Sequence, residues 1–546
     1  MKKIQYILAT LVLSLGLTSC GDNFLTQYPE GGVLLQDQYE KLPDNLQGSI
    51  LGIYSKLYEY GGHSTFGLRS IDMYTDIQSG DMAMKSNSYG WFEMYERGYF
   101  YSYARSYLWS FYYDIINLAN LGIMAVESNV QEINSAMETG EEPTEAILLQ
   151  GYYYGQLLAV RGWAYANLLN YFCDPMDQLE NAMEDEKAIP VYTETVVKNG
   201  TLGEALSTVT EVYDRVFEDL TQAIDLLDFY SNYTSRDSKL EINADVARLM
   251  LAYAMLNQGD EQGKIYNNGK DNAYGVALQR AAEVINSGRY PMLTQAKLLT
   301  TGFADVTAEN WLWGQDVTVE TTTALGSFFG QVDVFSYSYA VAGDTKGIDS
   351  KLYDEIVATN WDARAGWFKA EAPYQYCPTR KFYCPTTKDL DLSMSSSSLL
   401  GQVDRNWLCD NVYMRVELAY LIAAEAAYRN NNQAEAKNYI KMLCDERVLD
   451  GKQEAYNTWL GKLTGNALKE AIIYNWRVEM WGEGYSMQLL RRLQKERTLG
   501  TNHITRSEST LNIADKEFIK YQCEIPTSET RYNPKIATTV LTKANN

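Results

Sequence analysis

The chain has 546 residues, 46% hydrophobic and 21% charged, enough to bury a large core and beyond the roughly 250–300 residues at which single cores usually subdivide. Seventy acidic against 47 basic residues give a net charge of -23, which excludes a general nucleic-acid binder, because neutralising phosphates needs clustered Lys and Arg. Only two histidines, His63 and His503, stand against 43 tyrosines and 11 tryptophans, a balance that argues against imidazole chemistry and for contact surfaces.

The first twenty residues read as an export signal. Lys2 and Lys3 precede an apolar run from Ile4 to Leu17, shorter than the roughly 20 residues that span a bilayer as a helix. Leu17-Thr18-Ser19-Cys20-Gly21 resembles the bacterial lipobox, in which Cys20 is acylated and becomes the new N-terminus. Each buried acyl methylene contributes about 0.8 kcal/mol to anchoring. The expected organisation is a signal peptide at 1–19 and a single unit at 20–546, with an N-terminal part at 20–230 and a C-terminal part at 231–546.

Apolar period and breakers such as Pro190, Gly288 and Pro291 predict helices at 42–58, 103–127, 146–172, 203–229, 273–287, 433–447 and 466–495. Val246, Leu249, Met250 and Tyr253 make one buried stripe, and Val416, Tyr420, Ala423 and Ala427 another. Stretches 412–429 and 433–447, joined by Asn430-Asn431-Asn432, place Ala424, Ala436, Ile440 and Leu443 at the small and apolar positions of a tetratricopeptide repeat. Such pairs bury their faces only by stacking on neighbours. The predicted fold class is therefore all-α dominated: tetratricopeptide-like helix pairs forming a scaffold, with long irregular ligand-binding loops and minor strand content.

Residues 60–102 and 300–411 break the pattern, with one expected strand at Trp311–Thr318. Loops this long are usually functional or disordered, and the density of aromatic residues argues against disorder. Rings on irregular segments can form platforms suited to sugars or other flat, partly apolar ligands. Cys377 and Cys384, seven apart in the turn-rich second region, invite a disulfide that spacing alone leaves open.

Enzymatic signatures are missing. The nearest approach to G-x-S-x-G, Gly62-His63-Ser64-Thr65-Phe66, lacks its second glycine, and there is no H-E-x-x-H, Walker A loop or EF-hand pattern. A glycosidase needs only two carboxylates, but the strands of its usual scaffolds are not foreseen. Glu417, Glu425, Arg477, Glu479, Arg161 and Trp163 read as structural helix residues. No catalytic residue, metal ligand or cofactor is indicated; a structural calcium ion in the loops is conceivable, with no motif to mark it.

Several segments together resemble the SusD/RagB family. They are the lipobox followed by Asp22-Asn23-Phe24-Leu25 and Pro29; Trp109, Tyr113, Asn117 and Asn120; and Arg161-Gly162-Trp163-Ala164-Tyr165 with Leu168, Tyr171 and Phe172. The C-terminal half adds Arg415, Glu417 and the run Tyr420–Ala426, Asn475-Trp476-Arg477 with Glu479, Glu483-Gly484, Leu489 and Arg491, and Ile525-Pro526 with Glu529 and Asn533-Pro534. Trp476, Ser486 and Gln488 depart from the family pattern. The resemblance implies a surface-exposed, lipid-anchored outer-membrane protein that captures a glycan and hands it to a SusC-like TonB-dependent transporter, with no bond made or broken. A RagB-like peptide binder and a repeat scaffold binding only protein are the alternatives. Trp91 lies at about the family position of a ligand-stacking tryptophan. Arg69, Asp76 and Asp81 are expected to bond ligand hydroxyls, and Tyr95, Tyr337, Tyr339 and Trp361 to add contact surface.

Overall fold

The computed structural model describes residues 44–96, 102–173, 187–201, 203–233, 238–259, 264–299, 303–318, 321–323, 325–335, 337–382, 408–504, 516–518 and 523–536. Cys20 and its lipobox lie outside the described residues, as does Cys384; Cys377 is a buried free thiol, and burial pushes its pKa up to about 12.

Helices α1 (Asp44–Lys56), α2 (Leu68–Ser79), α3 (Ser102–Val126), α4 (Glu145–Phe172), α5 (Val209–Tyr230), α6 (Ala244–Gln258), α7 (Ala273–Asn286), α8 (Val416–Arg429), α9 (Gln433–Asp445), α10 (Asn466–Glu479) and α11 (Ser486–Arg492) make the scaffold. They stack in series: α1 packs on α3, α3 on α4, α4 on α5, α5 on α6, α6 on α7, α7 on α8, and α8 on α9 and α10. Helix α11 returns to pack on α2, near the start of the chain. One apolar cluster runs from Leu46 to Cys523, so the stacked pairs share a core, as repeat units must.

Local chemistry fixes the helix starts. Thr208 and Glu211 form a capping box at α5, and the side chains of Asn243, Asn272 and Asn432 accept amides at α6, α7 and α9, satisfying donors that a helix leaves unpaired. The tightest seam, α4 on α5, depends on missing side chains. A Cβ at Gly151 would lie 2.3 Å from the Tyr230 ring, at Gly155 2.9 Å from Leu227, and at Gly162 2.9 Å from Leu220.

Several expectations shift, and the 300–411 stretch read as irregular includes a helix at Ser350–Thr359. The 203–229 stretch becomes helical only at Val209, after a strand at Leu206–Thr208. The 412–429 stretch opens as a strand, Asn411–Arg415, antiparallel to Trp311–Gln315. The 466–495 stretch divides between α10 and α11, where Gly482 and Gly484 take φ of 78° and 83°, a left-handed conformation that favours glycine. Finally, α2 lies within 60–102, read as a loop: eleven of its twelve residues are buried, so it shows no polar face from which a helical period could be read.

The remaining strands are short. Strand β1 (Tyr60–Gly62) pairs with β2 (Thr65–Phe66) in a hairpin. Strand β3 (Met82–Met84) pairs antiparallel with β4 (Lys346–Ile348), Ala83 opposite Gly347. That second ladder brings the two long aromatic regions together.

Candidate functional site

Beyond the β3–β4 ladder the two arms stay joined by bonds from Lys85 N–H to the Thr345 carbonyl (2.8 Å) and from Ser88 N–H to the Gly343 carbonyl (3.0 Å). Asn87 then accepts the Gly90 amide through its side chain at 2.7 Å, closing a turn that presents Tyr89 and Trp91. The other arm presents Tyr337 and Tyr339, and the β1–β2 hairpin adds Tyr60 and His63.

Trp91 is the hub of this cluster. His63 and Tyr89 lie parallel to it, each with ring centroids 4.8 Å away, and Tyr339 meets it edge-on at 4.5 Å. The Tyr339 hydroxyl lies 2.8 Å from His63 Nδ1. Burial, and then the neighbouring Tyr60, Tyr89 and Tyr337, raise the pKa of Tyr339. A polar relay fixes the hairpin from below: buried Lys346 donates to Gln331 Oε1 at 3.0 Å, and Gln331 Nε2 donates to the His63 carbonyl at 2.9 Å. Tyr60, Tyr89 and Tyr337 remain 48%, 43% and 51% exposed. The result is a ring surface open to solvent and rigidly backed, which can stack a flat, partly apolar ligand and offer phenolic hydroxyls to its polar rim.

Of the residues expected at the site, Trp91 and Tyr339 meet in this cluster, and Tyr337 lies exposed two residues before Tyr339 on the same arm. The other five are buried away from it. Arg69 pairs with Asp72 at 2.7 Å and lies 4.2 Å from the centre of the Phe328 ring. Asp76 accepts the Gly482 amide at 2.5 Å; burial first, then Asp81 and Asp72, push its pKa well up. Asp81 is fully buried against Arg477 at 2.5 Å. Tyr95 stacks on Tyr74 at 4.2 Å beneath the surface, and Trp361 is a core residue packed on Tyr456 and Trp459. Asp76 and Asp81 join segments some 400 residues apart, whereas Arg69 pairs within its own helix.

Three contributors were not foreseen: Tyr60, His63 and Tyr89. The signal available was Tyr89-Gly90-Trp91 in a polar turn; His63 arrives from a separate hairpin. Inside the scaffold, a cavity of about 60 Å³ lies between α3, α4, α6 and the Gly484 turn, lined by Tyr112, Trp163 and Gln488 among others. It is lined by side chains that form the seams of the scaffold, whereas the ring cluster presents exposed phenols to solvent.

Residues 40–251 match a family described as starch-binding and associating with the outer membrane, and residues 358–539 match the SusD family. No curated protein matches the chain. Among solved structures, a SusD-like carbohydrate-binding protein from Bacteroides vulgatus is 20% identical with a TM-score of 0.66, covering 90% of this chain and 97% of its own. A SusD superfamily protein from Bacteroides thetaiotaomicron is 18% identical with a TM-score of 0.66 (90% and 98% covered), and one from Bacteroides fragilis is 18% identical with a TM-score of 0.64 (91% and 99% covered). At these identities the likeness establishes the fold, and with the two sequence matches in chain order the conclusion is that the chain belongs to the SusD/RagB family.

Proposed function

We propose that the protein is a cell-surface glycan-binding lipoprotein, anchored through Cys20, that captures oligosaccharide and delivers it to a SusC-like TonB-dependent transporter without catalysing a reaction. The observation that carries this reading is the exposed, rigidly backed cluster of Tyr60, His63, Tyr89, Trp91, Tyr337 and Tyr339. A family description of starch binding at the outer membrane supports the ligand class and the location. No helix among the described residues is long and apolar enough to cross a membrane, which is compatible with attachment by a lipid.

Calorimetry and affinity electrophoresis of the mature protein over a panel of neutral and acidic oligosaccharides test the proposal. Saturable binding of at least one glycan, with no product released on prolonged incubation, is expected. Binding of peptides alone, or reproducible hydrolysis, would overturn it.

A further inference from the structure

Both histidines of this histidine-poor chain sit at the ring cluster, His63 within it and His503 at the root of its two arms. Trp91 and Tyr89 ride on the arm that leaves β3, and Tyr337 and Tyr339 on the arm that enters β4. Five residues after Trp91, Glu96 turns back and accepts the Met84 amide at 3.2 Å, at the end of β3. Immediately after β4, Asp349 donates its own amide to the Asp81 carbonyl at 2.9 Å. His503, arriving from the far end of the chain, lies between these two acids, with Nδ1 2.5 Å from Glu96 Oε1 and Nε2 3.0 Å from Asp349 Oδ1. All three side chains are fully buried.

We propose that His503 is a positioning residue for the ring cluster: its imidazolium clasps Glu96 and Asp349, and thereby fixes the arm bearing Trp91 against the arm bearing Tyr339. The proposal rests on the ring cluster being the ligand surface. Only the doubly protonated ring donates to both acids at once; the neutral ring carries one N–H and turns a lone pair toward the other carboxylate.

Burial disfavours the imidazolium, but Asp349 and Glu96 outweigh it and hold His503 above its ordinary range. Burial also raises Glu96. Against the same burial, His503 and the amides of Leu352 and Gly500 keep Asp349 below the usual carboxylate range. The neighbouring charges are already engaged. Arg497 donates to the carbonyls of Gln78 and Glu96 at 3.1 and 3.2 Å, and Asp81 holds Arg477, on which Glu355 also acts. Where Glu96 and Asp349 are ionised, the clasp is therefore complete up to about pH 6.5, the unperturbed histidine value, and is lost as pH rises through the raised folded value.

The test needs no ligand. The full mature chain is labelled with 5-fluorotryptophan, and the Trp91 fluorine resonance is identified as the one missing from Trp91→Phe. Between pH 6 and 9 that resonance should shift with a midpoint above about 6.5. With His63→Phe introduced into every protein, so that the imidazole stacked on Trp91 is absent, the midpoint should fall in Glu96→Gln, which keeps an acceptor for Met84 but removes one charge facing the imidazolium, and the titration should vanish in His503→Gln. A Trp91 resonance indifferent to pH in His63→Phe alone, or titrating identically in folded His503→Gln, would overturn the proposal. Should His503→Gln fail to fold, an unshifted midpoint in Glu96→Gln would overturn it alone. A glycan panel with no binder would sink the proposed function while leaving this titration readable, so the two failures are distinguishable.

Discussion

Replacing Tyr89 and Trp91 separately by alanine distinguishes the ring that meets the ligand from the ring that organises the surface. Trp91 contacts three rings, His63, Tyr89 and Tyr339; at about 0.5–1.5 kcal/mol per aromatic pair, Trp91→Ala forfeits on the order of 1.5–4.5 kcal/mol of local packing. Tyr89 contacts only two of them, Trp91 and Tyr339, and is 43% exposed. By the same figure Tyr89→Ala forfeits on the order of 1–3 kcal/mol, so it should unfold at a urea concentration between those of Trp91→Ala and the wild type. Loss of one ring from the ligand surface removes about 0.5–1.5 kcal/mol of stacking, a roughly 2- to 12-fold weakening at 1.4 kcal/mol per decade. Trp91→Ala should abolish measurable glycan binding, because Tyr89, His63 and Tyr339 lose their common support. Tyr89→Phe should keep most of the affinity if stacking dominates and lose it if the phenolic hydroxyl does. Calorimetric titration with whichever oligosaccharide binds the wild type, beside urea unfolding of each variant, provides the comparison. Wild-type affinity in a folded Trp91→Ala protein would refute the reasoning, since the cluster would then not be the binding surface.

The scaffold was legible because its helices obey rules local to the sequence. A stripe such as Val246, Leu249, Met250 and Tyr253 requires only that α6 bury one face, and all but Tyr253 of that set are fully enclosed. The site was less legible, because its parts are assembled across the chain. Arg69 and Asp76 looked like ligand groups in a polar, aromatic region. The helix bearing them is buried nearly all round; Arg69 is held by a salt bridge to Asp72, three residues on, and Asp76 accepts an amide from Gly482. Burying polar groups without partners would cost several kcal/mol each; the Arg69 partner is local, but no local pattern names the Gly482 amide some 400 positions from Asp76. Trp361 failed for a related reason: a tryptophan in a turn-rich segment can face solvent or anchor that segment, and here it anchors on Tyr456 and Trp459. Tyr337 and Tyr339 lie on an arm that the β3–β4 ladder joins to that of Trp91, and the ladder itself, three residues on each strand, is too short to announce itself by alternation.

Further perturbations probe the framework. Gly151→Ala should lower stability by about 1–3 kcal/mol, the usual cost of overpacking, because its Cβ would stand 2.3 Å from the Tyr230 ring; an unchanged melting temperature would show that the α4–α5 seam can widen freely. Burial raises the Asp72 pKa to about 7 against the pull of Arg69, so stability linked to its proton is full below about pH 4 and is lost as pH rises through about 7; Asp72→Asn should flatten that limb in urea titrations at stepped pH. Glu479→Gln is the severest test. Glu479 takes hydrogen bonds from Arg415 at 2.7 Å, Arg447 at 2.9 and 3.0 Å, and Arg364 at 3.1 Å. Around it, Arg364, Arg415, Arg447 and Lys381 are balanced by Asp362, Glu417, Glu479 and Glu483. Burial alone would raise the Glu479 pKa, but Arg447, Arg415 and Arg364 hold it well below the usual range. Its stabilisation is accordingly present above about pH 4.3, the unperturbed glutamate value, and is lost as pH falls through the depressed folded value. The amide leaves one uncompensated positive charge in the core and turns an N–H₂ toward guanidinium groups, at an expected cost of about 3–5 kcal/mol. Because Lys381, lowered to about 8 chiefly by burial, is the group in this network that can release a proton most readily, part of that loss should be recovered on raising the pH from 7 to 9. Urea unfolding at the two pH values measures both effects, and a midpoint equal to wild type at pH 7 would show that the charges are not mutually dependent.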